Sequence, residues 1–142
     1  MKSAYIQLLV TCLFLLSATI LLARKAFGTS KEDLDTVFHH TEIKPSFKGG
    51  IEALNQYLAQ NMNVGPEDEG EEALAHFIVS AKGNIYQVKV LPENLYFEKS
   101  LAKALAKSSG MWISAQQGEH PVNSYCTLKI TYQDKKIDAV ME

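Results

Sequence analysis

The chain has few of the residues that catalysis or metal binding would need. Its 142 residues include two cysteines and four scattered histidines, with no Cys-x-x-Cys motif and no histidine pair spaced i, i+4, so no zinc site is predicted. Cys12 lies in an apolar run and Cys126 in a predicted strand, so they are not expected to pair. A nucleophile elbow and a glycine-rich anion loop are both missing. We therefore expect no enzyme activity, no bound metal and no cofactor.

Positive charge is also scarce beyond the N-terminus. Lys2, Arg24 and Lys25 lie in or beside an apolar segment, and residues 29–142 carry 11 basic and 16 acidic side chains. Nucleic-acid binding needs a basic face, so this balance argues against it. The acidic run at residues 67–72, EDEGEE, lacks the spacing of a calcium loop and is interpreted as a solvated loop.

The longest uncharged run covers residues 4–23, AYIQLLVTCLFLLSATILLA. A helix of ~20 residues at ~1.5 Å per residue matches the ~30 Å thickness of a bilayer's hydrocarbon layer. We predict that residues 1–27 form a transmembrane anchor. A cleaved signal peptide is the alternative, but an ordinary h-region has only ~7–15 residues, and Arg24-Lys25 stands where a small-residue cleavage site should be.

Residues 28–46 are polar and mixed in charge, with no proline-rich or low-complexity stretch. They are interpreted as a short tether with one helical turn near residues 32–38. Fully extended, this tether reaches only ~65 Å. A first helix is predicted next, over residues 47–62, because Gly49-Gly50 marks its entrance and apolar residues then repeat at helical spacing. These apolar residues are Ile51, Leu54, Leu58 and Met62.

Residues 71–132 carry the strongest periodic signals. Two alternating runs, EALAHFIV and IYQVKV, flank Lys82-Gly83-Asn84, where Gly and Asn tolerate the positive φ of a tight hairpin turn. Ile85 is out of phase with Val88 and Val90, which predicts a bulge near the turn.

A second helix should follow Pro92, with Asn94 as its N-cap and Gly110 as its C-cap. After a turn at Gln117-Gly118, residues 121–132 alternate as a closing strand. The predicted core consists of Phe77, Val79, Val88, Leu101, Leu105, Trp112, Leu128 and Ile130.

The expected fold class is α+β, with two helices packed on one face of a three-stranded antiparallel sheet. One transmembrane helix precedes this domain, which should cover residues 47–132. Residues 133–142, QDKKIDAVME, are left as a tail that either covers the edge of the sheet as a strand or is a disordered end.

These pieces together resemble the C-terminal domain of TonB-family energy transducers. The likeness covers residues 45–132. It depends on P-x-F-x-G-G before the first helix, F-x-V-x-x-x-G-x-I with a following V-x-V in the hairpin, and a lone Trp112 after the second helix. A G-x-x-P-V turn and the alternation of Cys126, Leu128, Ile130 and Tyr132 complete it.

The resemblance implies a periplasmic domain on an inner-membrane anchor, with the N-terminus inside. It implies that an extended segment of a membrane receptor, or of another periplasmic protein, adds to the sheet as a strand. The closing strand is then the docking edge, along residues 123–131. The residues expected to contact the partner are Asn123, Tyr125, Thr127, Lys129 and Thr131.

The same resemblance implies ExbB- and ExbD-like motor subunits as partners in coupling proton-motive force to transport by outer-membrane receptors. Transducers of this family are expected to use a polar histidine in the transmembrane helix and a long proline-rich spacer, and this chain has neither. The alternative is a periplasmic interaction module or scaffold with the same fold and no energy coupling. A soluble periplasmic form after signal cleavage and a homodimer also stay open.

Overall fold

The structure is a computed structural model that describes residues 33–92 and 96–142. The predicted anchor, residues 1–27, and the predicted N-cap Asn94 lie outside the described residues. Asp33–Glu142 forms one compact unit with its own hydrophobic core. Within the two described ranges, no helix combines the length and apolarity needed to cross a bilayer.

The described residues form two α-helices and eight strands, with a short 3-10 turn at Pro66–Asp68. In chain order the elements are β1 (Ser46–Phe47), α1 (Gly50–Asn61), β2 (Glu72–Val79), β3 (Ile85–Leu91), α2 (Tyr96–Lys107), β4 (Trp112–Ile113), β5 (Ala115–Gln117), β6 (His120–Val122), β7 (Ser124–Gln133) and β8 (Lys136–Met141). The α+β class with two helices is therefore confirmed.

The main sheet is antiparallel and has four strands in the order β3-β2-β7-β8. The predicted count of three strands is wrong, because the segment interpreted as a tail returns along β7 as β8. Two short antiparallel pairs, β1 with β4 and β5 with β6, lie outside this sheet. Both predicted domain boundaries, at residues 47 and 132, therefore lie inside the compact unit.

The turn that starts β8 explains why the sequence left this segment open between a strand and a disordered end. Asp134 and Lys135 have φ angles of 52° and 60°, the positive pair of a two-residue hairpin turn that Asn-Gly or Asp-Gly usually signals. The carboxylate of Glu69 accepts hydrogen bonds from the backbone N–H groups of Asp134 and Lys135. A side chain distant in sequence thus supports a turn that lacks glycine.

Both helices pack on one face of the sheet, α1 against β8 and α2 against β3. Trp112 fills the core beside them and its ring meets Phe47 and Phe77 edge-on, at centroid distances of 5.4 and 5.1 Å. Its Nε1–H donates to Ser108 Oγ at 2.9 Å, so its polar atom is satisfied within the core. All predicted core residues are buried except Val88, which is half-buried.

The predicted bulge in the hairpin is confirmed. The β2–β3 register shifts between His76 and Ile78, and Gln87 on β3 has a φ of 53°. At the hairpin turn, a Cβ on Gly83 would lie 2.2 Å from the Trp112 carbonyl oxygen. Glycine at this position lets the turn pack directly against the backbone that follows α2.

The segment interpreted as a tether contacts the domain from Asp33 onward. The helical turn predicted near residues 32–38 is not found at residues 33–38. Instead, Phe38 forms a parallel bridge to Ser124, and Ile43 forms an antiparallel bridge to Gln116. Backbone groups make these contacts, so the side-chain pattern of the segment carried no signal for them.

Candidate functional site

The predicted contact residues lie along β7 or directly before it. Ser124–Gln133 alternates buried and more exposed positions, because β-strand side chains point to opposite faces in turn. The helices cover one face of the sheet, and Tyr125, Thr127, Lys129 and Thr131 belong to the other. The structure therefore brings these four side chains together on a single face, as the parity of the sequence predicts.

The edge of β7 that was predicted as the docking edge is covered by the chain itself. β2 pairs with β7 on one side, and β8 pairs with residues 128–133 on the other. Directly after β8, Glu142 N–H donates to the Thr127 carbonyl at 3.1 Å. Phe38 N–H donates to the Asn123 carbonyl at 2.9 Å, and the Phe38 carbonyl accepts from Tyr125 N–H at 3.0 Å. A peptide could pair along β7 only after these segments had moved.

Asn123 joins three segments of the chain. Its Oδ1 accepts from the backbone N–H of Ala81 at 2.9 Å, and its Nδ2 donates to the carbonyls of Asp33 and Thr36 at 2.9 and 3.1 Å. The amide therefore holds the upstream segment and the loop after β2 against the start of β7. This is a positioning role within the fold, whereas the sequence predicted a contact with a partner.

Tyr125 and Thr127 contact neighbours on the exposed face of the sheet. The Tyr125 ring stacks on His39 with centroids 4.4 Å apart, and Thr127 Oγ1 lies 3.0 Å from His76 Nδ1. The Tyr125 side chain is 42% exposed. Both residues therefore line the sheet face while their backbone groups stay inside the sheet.

Lys129 forms an ion pair across the sheet. Its Nζ lies 2.8 Å from Glu72 Oε1, and both side chains are largely exposed. The hydrogen bond to Glu72 raises the pKa of Lys129, and the charges of Glu72 and Glu142 act in the same direction. Thr131, half-buried, lies opposite Glu72 on β2 and Asp138 on β8. Water screens the exposed Lys129–Glu72 ion pair, so this ion pair contributes little to stability.

The outer side of β8 is an edge of the sheet. In an antiparallel pair, the backbone N–H and C=O groups of successive residues point alternately toward the partner strand and away from it. Because Glu142 N–H binds the Thr127 carbonyl, Glu142 and every second residue before it point toward β7. By this alternation Ile137, Ala139 and Met141 turn their N–H and C=O groups outward. No strand of the described chain pairs with this side of β8. Such a row of outward groups is a template for another strand.

One side chain from α1 reaches this edge. Asn55 Oδ1 accepts from the backbone N–H of Ala139 at 2.9 Å, and Asn55 Nδ2 donates to Asp138 Oδ1 at 3.2 Å. The carboxamide therefore occupies the position that the carbonyl of an added strand would take opposite Ala139. This half-buried side chain protects the edge at one point.

A groove runs between α1 and β8 beside the same edge. It encloses about 460 Å³. Ile51 from α1, which is 39% exposed, and the half-buried Met141 from β8 contribute apolar surface, and Glu52 gives the groove a negative charge. An extended peptide on β8 would find main-chain partners at the edge and apolar surface for its alternate side chains.

The opposite edge, on β3, offers a poorer template. Its first outward donor, Ile85 N–H, already binds Ser109 Oγ at 3.0 Å. Farther along, Gln87 bulges with a positive φ, and a bulge interrupts the regular spacing that a second strand needs. The edge on β8 is therefore the better candidate docking site.

Cys126 is poorly suited to act as a nucleophile. Burial raises the pKa of its thiol to about 12, although the charge of Lys44 lowers it in part. The thiol is therefore protonated at neutral pH and a weak nucleophile. Within residues 33–92 and 96–142, no three His, Cys, Asp or Glu side chains are grouped so that they could hold a metal ion.

The sequence could have indicated the edge strand through the alternation of Ile137, Ala139 and Met141. That signal covers a short segment and no recognisable turn precedes it, so the sequence alone does not decide between a strand and a disordered end.

Comparison of the chain with family models, with curated proteins and with solved structures finds no match.

Proposed function

We propose that this chain is a membrane-anchored, periplasmic TonB-like protein that binds an extended partner peptide by strand addition. The observation that carries the proposal is the outward edge of β8, where Ile137, Ala139 and Met141 turn their backbone groups away from β7. Main-chain hydrogen bonds along this edge supply affinity, and side chains at alternate positions of the peptide supply specificity.

The groove favours a particular kind of peptide. Side chains on the helix-facing side of the added strand would lie against Ile51 and Met141, so apolar residues are preferred there. Glu52 lies in the same groove, and the exposed Glu142 follows β8, so a basic residue near the end of the peptide is preferred. The peptide must displace Asn55 from Ala139, which costs about one hydrogen bond, ~1 kcal/mol. Several new main-chain bonds offset that loss.

Docking along β7, at residues 123–131, stays a prediction that requires β8 to leave first. Departure of β8 would expose Ile137 and Ala139, which are 7% and 2% exposed in the folded chain. Addition to β8 needs no such exposure, which is why we favour it.

Two substitutions that remove the same intramolecular bond test the proposal. Ala139→Pro and Asn55→Ala both break the Asn55–Ala139 hydrogen bond, but only proline also removes the donor that a peptide would use. With a peptide selected from a random library against the wild-type full-length chain, we expect Ala139→Pro to weaken binding about tenfold or more and Asn55→Ala to strengthen it. Fluorescence anisotropy measures both affinities, and circular dichroism checks that each variant is folded.

Affinities that change in the same direction in both folded variants would contradict docking on β8. Deletion of residues 136–142 separates the two candidate strands. In a shortened chain that circular dichroism shows to be folded, binding that is lost supports β8, and binding that strengthens supports β7. A selection that yields no peptide sensitive to either change would contradict the proposed function.

Anchoring and energy coupling are separate parts of the proposal. Mass spectrometry of the mature chain should find residues 1–27 still attached and the protein in the inner-membrane fraction, whereas a soluble chain that begins near Thr29 would contradict the anchor. The short tether and the absence of a histidine in residues 4–23 favour an interaction module without energy coupling. Affinity capture from cross-linked membranes decides this, since motor subunits should be recovered only if the chain couples to them.

A further inference from the structure

We propose that β8 also pairs with β8 of a second copy of the chain, antiparallel about a twofold axis at Ala139. The two four-stranded sheets would then join into one. Such pairing would use the backbone N–H and C=O groups of Ile137, Ala139 and Met141, which point away from β7. A pairing of this type is isologous, because each copy presents the same residues to the other.

In this register, a positively charged residue of each copy lies opposite a negatively charged residue of the other copy. Pairing centred on Ala139 places Lys136 of one copy opposite Glu142 of the second copy, and this contact occurs twice. Asp138 then lies opposite Val140, so no like charges face each other. Lys136, Asp138, Val140 and Glu142 are all exposed on the face away from the helices, where opposite charges across a strand pair favour the pairing.

The neighbouring registers that keep the same backbone pairing bring like charges together. A register centred on Asp138 places this carboxylate opposite its own copy. A register centred on Val140 places Asp138 opposite Glu142 of the second copy. Like charges directly opposite each other destabilise a strand pair. The register centred on Ala139 is therefore favoured over both neighbours.

The helix-facing side of the same register is apolar. Ile137 lies opposite Met141 of the second copy, and Ala139 lies opposite itself at the axis. A small side chain at the axis lets the two edges approach without a clash. Asn55 must release Ala139 N–H in each copy, in exchange for main-chain bonds along the edge. The amide is therefore expected to keep self-association weak and reversible.

This pairing would regulate the docking edge. If the proposed function is right, the second copy and the partner peptide compete for the same backbone groups, and the dimer is the form that binds no peptide. The dimer itself needs no peptide, so it can be tested without one, and its failure would leave the peptide measurements unaffected.

Charge reversal tests the register. Sedimentation equilibrium of the full-length chain in detergent micelles should show a monomer–dimer equilibrium. Lys136→Glu and Glu142→Lys should each weaken the dimer about tenfold, because each turns two attractive contacts per dimer into repulsive ones. The double variant should restore wild-type association. Lys135→Glu makes the same change in charge in the turn, outside the paired segment, and should have a smaller effect.

Asn55→Ala should have the opposite effect. It frees Ala139 N–H in both copies, so it should strengthen the dimer about thirtyfold. A wild-type chain that stays monomeric up to roughly 100 µM would overturn the proposal. So would a double variant that stays as weak as the single ones, because a general loss of folding or charge balance would then explain the single effects.

Discussion

Truncation of Ile137 tests whether β8 is an integral strand of the fold. Ile137 is 7% exposed, belongs to the core cluster and lies opposite Tyr132 of β7. Ile137→Ala removes three carbon atoms at ~0.8 kcal/mol each, which gives ~2.4 kcal/mol, and an unfilled cavity raises this to about 2–4 kcal/mol. Val140→Ala is the matched control on the same strand. Because Val140 is 53% exposed, its truncation should cost about 0.5 kcal/mol or less.

Urea unfolding of the full-length chain in detergent measures both free energies of unfolding. Trp112 is the one tryptophan in the sequence and is buried, so its fluorescence reports loss of the core directly. The two variants should differ by about 2 kcal/mol or more. If Ile137→Ala changes the free energy of unfolding by less than ~0.5 kcal/mol, β8 is not docked in solution. Both proposals based on its outer edge would then fail.

Three further outcomes follow from the core. Leu105→Ala should lower the free energy of unfolding by about 2–5 kcal/mol, whereas Ile113→Ala, at an exposed position, should change it by ~0.5 kcal/mol or less in the same urea assay. Trp112→Phe should cost about 1–3 kcal/mol, because the bond to Ser108 Oγ and part of the ring contact are lost, as thermal unfolding followed by circular dichroism would detect. Burial raises the pKa of the Cys126 thiol to about 12 in the folded chain, whereas the unfolded chain has the ordinary thiol pKa of about 9. Stability should therefore fall as the pH rises from about 9 toward 12, and Cys126→Ala should remove part of that fall.

The elements predicted correctly are those whose signals are local. In β7, the alternation of apolar and polar residues shows which side chains are buried whatever the strand pairs with. In α2, Phe97, Leu101 and Leu105 are spaced so that one helix face is apolar, and all three are buried. Ile85 breaks the alternation set by Val88 and Val90, and this break predicted the bulge in the hairpin. It could be recognised within one strand, without knowledge of the neighbouring strands.

The elements that the sequence did not predict depend on contacts between distant segments. Phe38 joins β7 through its backbone, which carries no side-chain signature. The turn at residues 134–135 has positive φ angles without glycine, and it is supported by Glu69 from the loop before β2. Neither contact appears as a period, a cap or a turn motif in the sequence. Both could be recognised only once the other segment had been placed.

The same distinction explains why the candidate site lies one strand away from its predicted position. Parity correctly placed Tyr125, Thr127 and Lys129 on one face of β7, but a strand is an edge only if no other segment pairs with it. That condition depends on Lys136–Met141, whose outward side then becomes the edge. Ala139 is the position at which an experiment can distinguish the two edges, because its N–H is the donor that Asn55 holds and that an added strand would need. A substitution that affects binding through that single group, and leaves the β7–β8 ladder intact, would locate the docking edge on β8.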